Sequence, residues 1–123
     1  MPRLAHLLVT TLLLAGLAGC GRGDGADIRR IGSARHGAQL IAQSGCGACH
    51  EIPGIANAAG RVGPPLGNVG TRSIIAGVLP NTPDNLVRWL RMPQSVVPGN
   101  AMPDMELTEH DARDVAAYLY TLR

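Results

Sequence analysis

Cys46 and Cys49 are separated by two residues, and His50 follows the second at once, in the run "QSGCGACHEIPG" at 43–54. Two thiols and an imidazole this close suit three chemistries. They can exchange a disulfide as a thioredoxin-type pair, supply half of a zinc site, or carry a covalently attached haem. In the last case the thiols add across the haem vinyl groups and the histidine sits beneath the iron. A thioredoxin-type pair wants the start of a helix in a strand–helix fold, and the chain has no alternating strand pattern. A structural zinc site wants four ligands close together. Beyond the triplet, His36 and His110 are the candidates to join it, and neither has ligand-like spacing. The triplet therefore reads as the attachment point of one c-type haem.

With His50 on one side of the iron, a second axial ligand must come from elsewhere. The loop "VVPGNAMPDMEL" offers Met102 and Met105, and Met92 sits at the end of a helical run. Any of the three can equally fill a gap in a core. Met102 is the stronger ligand candidate, because Pro98, Gly99 and Pro103 stiffen the loop around it and reduce the entropy lost in holding a weak thioether. Met105 is the alternative.

These residues need a scaffold, and the sequence supplies helices. In "SARHGAQLIAQSG", Ser33 caps a helix whose apolar positions include Ala38, Ile41 and Ala42, and Gly45 ends it. In "NTPDNLVRWLRMP", Thr82 caps, Pro83 takes the first helical position, and Leu86, Trp89 and Leu90 share a face opposite Arg88 and Arg91. In "LTEHDARDVAAYLYTLR", Thr108 caps with Asp111 three residues on, and Val115, Tyr118, Leu119 and Leu122 form the stripe. A shorter helix is expected around "RSIIAGV". The domain reads as all-α with long Gly/Pro loops. Its core is short of bulk: no Phe, one Trp and two Tyr against 16 Gly and 9 Pro. A small domain buries a poor share of its surface, and aromatic side chains usually dominate what it buries. A flat apolar cofactor would fill the deficit.

The chain opens "MPRLAHLLVTTLLLAGLAG", a short basic start and an apolar run closed by small residues. Residues 1–19 read as an export signal, too short for a spanning helix. "LAGC" then has the shape of a bacterial lipoprotein box, with Cys20 carrying the lipid; ordinary secretory cleavage nearby is the alternative. Residues 20–32, Gly-rich and charged, read as a flexible tether of roughly 20 Å by coil scaling. Residues 33–123 remain as one small domain. The formal charge is +2 and every basic residue is Arg. That balance, with so few aromatics, excludes a nucleic-acid footprint.

The sequence resembles class I cytochromes c, and most of all the cytochrome c domain fused to the end of subunit II in some haem–copper oxidases. The matching runs are "GCGACH", "VGPPL", "TRSIIAGVLPNTPDNLVRWLRMPQSVVPGNAMPDMELT" and "AAYLYTL", which together cover most of residues 37–122. The resemblance implies three to four helices wrapped around the haem, with Cys46 and Cys49 as thioether links and His50 and Met102 as axial ligands. It implies that the Pro64 carbonyl accepts a hydrogen bond from the His50 ring and that Trp89 lies against the haem face. Gly37 or Ala38 would let the first helix cross the last near Tyr118. Arg72, and less directly Arg61, would pair with haem propionates, with a merely solvated Arg as the equal alternative. The family often docks through lysines near the haem edge; here one such place is Val97, so an Arg-based or apolar docking patch is expected. The implied function is that of a membrane-anchored monohaem electron carrier, not an enzyme by itself. It would lie on the periplasmic side of a bacterial membrane and carry electrons between respiratory donors and acceptors, toward a terminal oxidase. The alternatives are a haem enzyme or gas sensor with a labile methionine, and a fixed subunit of a dehydrogenase.

Overall fold

A computed structural model of the protein describes residues 23–123; the expected export signal and Cys20 lie outside them. Six helices follow in order: α1 Gly23–Ile31, α2 Ala34–Gln43, α3 Cys46–Cys49, α4 Pro83–Arg91, α5 Pro93–Val96 and α6 Glu109–Leu119. Between α3 and α4 the chain makes a 3₁₀ turn at Val69–Thr71 and a small hairpin of β1 (Ile74–Ile75) and β2 (Leu79–Pro80). The fold is all-α, as expected. No helix among the described residues is long and apolar enough to cross a membrane.

The three expected caps form. Ser33, Thr82 and Thr108 each have extended backbone, and each side-chain oxygen accepts an N–H of the first turn, from His36, Asn85 and Asp111 respectively. Two local expectations change. Gly23–Ile31 is helical where the composition pointed to a flexible tether. Arg29 and Arg30 lie in its last turn, where positive charge suits the helix dipole. Asp27 pairs with Arg30 at 3.4 Å, and Ile31 packs against the core. Tertiary packing thus overrides a weak local preference. The second change is at "RSIIAGV", which turns back on itself instead of forming a helix. Ala76 and Gly77 take φ of +52° and +72°, and Val78 N–H donates to the Ile75 carbonyl at 3.1 Å. Two positive φ values at the centre are what a tight hairpin turn requires.

Helices α2 and α6 make the main packing contact. Gly37 is buried at their crossing, where a Cβ would lie 1.9 Å from the Asp114 carbonyl oxygen. Of the two expected residues it is therefore Gly37, not Ala38, that permits the approach, and the contact falls a turn before Tyr118. Ala112 and Ala116 are fully buried on α6 beside Val115 and Leu119, and Ile41 meets them from α2. Tyr118 instead ties α6 to the loop after α3, donating its hydroxyl to the Pro53 carbonyl at 2.6 Å.

Asp114 is a buried carboxylate at the same crossing, 3% exposed. One oxygen accepts the Ser33 N–H at 2.7 Å and the other lies 2.7 Å from His36 Nδ1. Burial alone would push its pKa up. The hydrogen bonds from His36 and Ser33, with the nearby His110 ring, outweigh that and hold it below the ordinary carboxylate value. A depressed pKa contributes stability that is complete above the ordinary value of about 4 and is lost as pH falls through the lowered one. Asp114→Asn should therefore be less stable than wild type by about 1–3 kcal/mol at neutral pH. The gap should narrow below about pH 4, as read by denaturant unfolding across pH.

Candidate functional site

The thiol turn is built from backbone. Gly45, at φ +74°, lets the chain pass from the end of α2 straight into α3. Within α3, His50 N–H donates to the Cys46 carbonyl at 3.0 Å, which places the ring directly after the turn. Gly60 N–H donates to the Gly47 carbonyl at 3.0 Å and Gly63 N–H to the Cys49 carbonyl at 2.8 Å, so the following loop is stitched along α3. Cys46 and Cys49 are unpaired with each other. Burial pushes the Cys46 thiol pKa up, and Cys49 adds to this against an opposing backbone hydrogen bond. That is the reverse of the lowered pKa an activated redox pair needs.

His50 is held from two sides. Its Nδ1 lies 2.8 Å from the Pro64 carbonyl oxygen. A carbonyl can only accept, so Nδ1 carries the proton and Nε2 of the neutral ring keeps a lone pair for a metal. Gly63 closes the other side, since a Cβ there would lie 2.2 Å from His50 Cε1.

The methionine loop is held by one side chain from α5. Gln94 Nε2 donates to the carbonyls of Asn100 at 2.9 Å and Met102 at 2.8 Å, and its Oε1 accepts the Gly99 N–H at 3.1 Å. Asn100 Oδ1 accepts the Met102 N–H at 2.7 Å. The loop's stiffness thus comes from this amide clamp as well as from its prolines. Gln94→Ala should cost about 1–3 kcal/mol, as three hydrogen bonds are lost, two of them partly buried, and backbone groups are left unpaired. The loss is read by thermal unfolding, and hydrogen exchange should rise at Gly99 and Met102 while α6 stays protected.

These pieces surround one cavity of about 580 Å³. Cys46, Cys49, His50, Met102, Trp89 and Pro64 line it, as do Arg72 and Met105. Leu86, Leu90, Val115 and Leu119 supply apolar wall. The cavity takes the place of the missing aromatic core: Trp89, Tyr118 and Tyr120 are only partly buried around the packed residues. Two thiols, an imidazole with a free nitrogen, a thioether and apolar walls are the donor set and surroundings that fit a haem.

Two candidates fall outside. Met92 is exposed and absent from the lining, and Arg61 is exposed and absent as well. Arg72 Nε donates to Asn68 Oδ1 at 3.0 Å, and one Nη donates to the same oxygen and to the Pro65 carbonyl, which fixes the guanidinium at the cavity. His36 and His110, dismissed as zinc ligands on spacing, do come together, with ring centroids 6.4 Å apart. Neither lines the cavity with Cys46 and Cys49.

The sequence reading missed Gln94 and Gly63. Gly63 precedes Pro64 in the quoted "VGPPL", so a signal was present; Gln94 carried none. It also missed Asn81, whose Nδ2 donates to the Val69 and Arg72 carbonyls, each at 2.8 Å, and whose Oδ1 accepts from Tyr120.

The chain is similar to the cytochrome c oxidase subunit 2 proteins of several bacteria. It is 40% identical over 91 residues to that of Alkalihalophilus pseudofirmus, covering 73% of this chain and 26% of the relative. The corresponding protein of Bacillus sp. PS3 is 36% identical over 89 residues, covering 69% and 25%. That of Bacillus subtilis is 34% identical over 89 residues, covering 71% and 25%. The chain thus spans about a quarter of the length of these relatives. The family model for cytochrome c matches residues 34–123, from the first residue of α2 to the end of the sequence. With the thiol turn, the tethered imidazole and the clamped methionine loop around one apolar cavity, the chain belongs to the cytochrome c family.

Proposed function

We propose that this electron-transfer cytochrome is a lipid-anchored, monohaem carrier on the periplasmic side of a bacterial membrane, passing single electrons between membrane-bound respiratory proteins toward a terminal oxidase. The observation that carries the reading is the meeting of Cys46, Cys49, His50 and Met102 on one apolar cavity. Cys46 and Cys49 would hold the haem covalently, and His50 and Met102 would ligate its iron. When bound, the haem supplies a reversible one-electron change at iron. Pro64 fixes the tautomer of His50, and Gln94 holds the Met102 backbone in place. Trp89 and the aliphatic walls keep water from the group, and Arg72 offers positive charge for a propionate. With both residues ligating the iron, little room would be left for substrate chemistry.

The anchor rests on the "LAGC" box at Cys20, following a signal over 1–19, with the family domain beginning near residue 33. Partners are proposed from the relatives and from the cavity rim. Val62 is 74% exposed and Ile74 49%, and both line the cavity. An apolar rim suits brief docking through a small interface. Val97, the place of one missing family lysine, lines the same cavity. The similarity to oxidase subunit 2 favours a second reading, a fixed place within an oxidase complex; co-purification with an oxidase in mild detergent distinguishes it from a free carrier.

The test is an absorption spectrum of the purified protein, oxidised and reduced, with and without carbon monoxide. A low-spin c-type spectrum that does not respond to carbon monoxide is expected. In Met102→Ala the reduced protein should bind carbon monoxide stoichiometrically and its potential should fall, whereas Met105→Ala should keep the wild-type spectrum. A wild-type protein that binds carbon monoxide would instead favour a haem enzyme or gas sensor.

A further inference from the structure

Away from the cavity, His36, His110 and Asp111 gather at the crossing of α2 and α6. One ligand atom from each lies within 4.8 Å of the others. His36 is far in sequence from the adjacent pair His110 and Asp111, and the helix crossing at Gly37 brings them together. We infer that they form a binding site for a divalent cation of the zinc class, independent of the haem site.

The donor set sets the class. Two imidazoles and one carboxylate suit zinc and its borderline neighbours, while magnesium and calcium prefer oxygen ligands throughout. Ligand atoms around a tetrahedral zinc stand about 3.4 Å apart for bonds near 2.1 Å. The cluster must close by little more than about 1 Å, within the reach of side-chain rotation. His110 is free to make that movement, its side chain being 80% exposed. Three protein ligands leave a fourth position for water.

Asp114 prepares the site from behind. Its buried carboxylate holds His36 through Nδ1 at 2.7 Å and lies 3.7 Å from His110 Nδ1. A carboxylate behind a histidine orients the ring and raises its basicity, as outer partners of metal ligands do. The first turns of α2 and α6 both point their positive ends here, which alone would oppose a cation. The two carboxylates, Asp111 and Asp114, offset that field. None of the three ligands lines the haem cavity. A cation bound to them would cross-link the start of α2 to the start of α6 and leave the cavity residues untouched.

The experiment is calorimetric titration of the chelator-treated, haem-loaded full-length protein with zinc chloride in a buffer that does not bind zinc. Saturable binding of one zinc per chain is expected, with a rise in the thermal midpoint. His110→Ala and His36→Gln should each weaken binding by at least about tenfold. The midpoint rise should be lost in both. The haem spectrum of His110→Ala should match wild type, which separates loss of the site from loss of the fold. Magnesium chloride should produce no comparable binding. Absence of saturable zinc binding, or binding of wild-type strength in both variants, would overturn the site. Equal binding of magnesium would overturn its class.

Discussion

Gly63→Ala should yield protein of which most lacks the low-spin haem spectrum. The added Cβ would lie 2.2 Å from His50 Cε1, 2.6 Å from Nδ1 and 2.9 Å from Nε2, well inside the contact distance of about 3.5 Å. One of the two partners must move. The Gly63 backbone is pinned by its N–H bond to the Cys49 carbonyl at 2.8 Å, inside the thiol turn itself. The ring is therefore the part that yields, and moving by more than about 1 Å it loses the Pro64 carbonyl and with it the fixed tautomer. Overpacking of this kind costs about 1–3 kcal/mol in stability, but the larger effect falls on ligand placement. The measurement is the haem-to-protein ratio and spin state of the purified variant. A wild-type spectrum would mean that Gly63 does not set the position of His50.

Gly37→Ala sets two effects of opposite sign against each other. Alanine is better than glycine inside a helix by about 1 kcal/mol. Against this, the new methyl would stand 1.9 Å from the Asp114 carbonyl oxygen and 2.5 Å from its carbonyl carbon. Both are backbone atoms, so no rotamer change relieves the overlap, and α2 and α6 must separate. Separation exposes Ile41, Val115 and the fully buried Ala112 and Ala116. The second effect wins: a net loss of about 2 kcal/mol or more is expected. For a domain of this size that is a fall in thermal midpoint of roughly 10 °C. Ala38→Gly is the control next door. It should lose only about the 1 kcal/mol of helix propensity. Equal effects at the two positions would show that close approach at Gly37 is not the cause.

Both predictions depend on glycines, and glycines mark how much of the molecule could be read in advance. The helices α2, α4 and α6 were legible because their signals are local: a capping hydroxyl, an apolar face, a proline at the first turn. Cys46, Cys49 and His50 stood out because the chemistry read for them depends on spacing along the chain, and Met102 through the prolines that flank it; the structure brings all four to one cavity. Pro64 and Trp89 came only through resemblance, and the structure brings both to the cavity. What escaped was set by contacts between distant segments. Gln94 looks like any residue at the start of a short helix until its amide meets the methionine loop. His36 and His110 have no ligand spacing because 73 residues separate them, yet the helix crossing makes them neighbours. Helix α1 escaped for a related reason, since its composition favours coil and its anchoring through Ile31 is tertiary. The hairpin at Ile74–Pro80 escaped because Ala76 gives no hint of a positive φ.

The hydrogen bond from Ser33 to Asp114 has a mechanical consequence. It joins the point where the chain enters α2 to the middle of α6, and the lining of the cavity begins only at Ile41. Tension applied ahead of Ser33 would therefore run across the helix crossing into α6, bypassing the turn that holds Cys46 and His50. A load at that end would reach α6, whose Val115 and Leu119 line the cavity, before it reached the thiol turn.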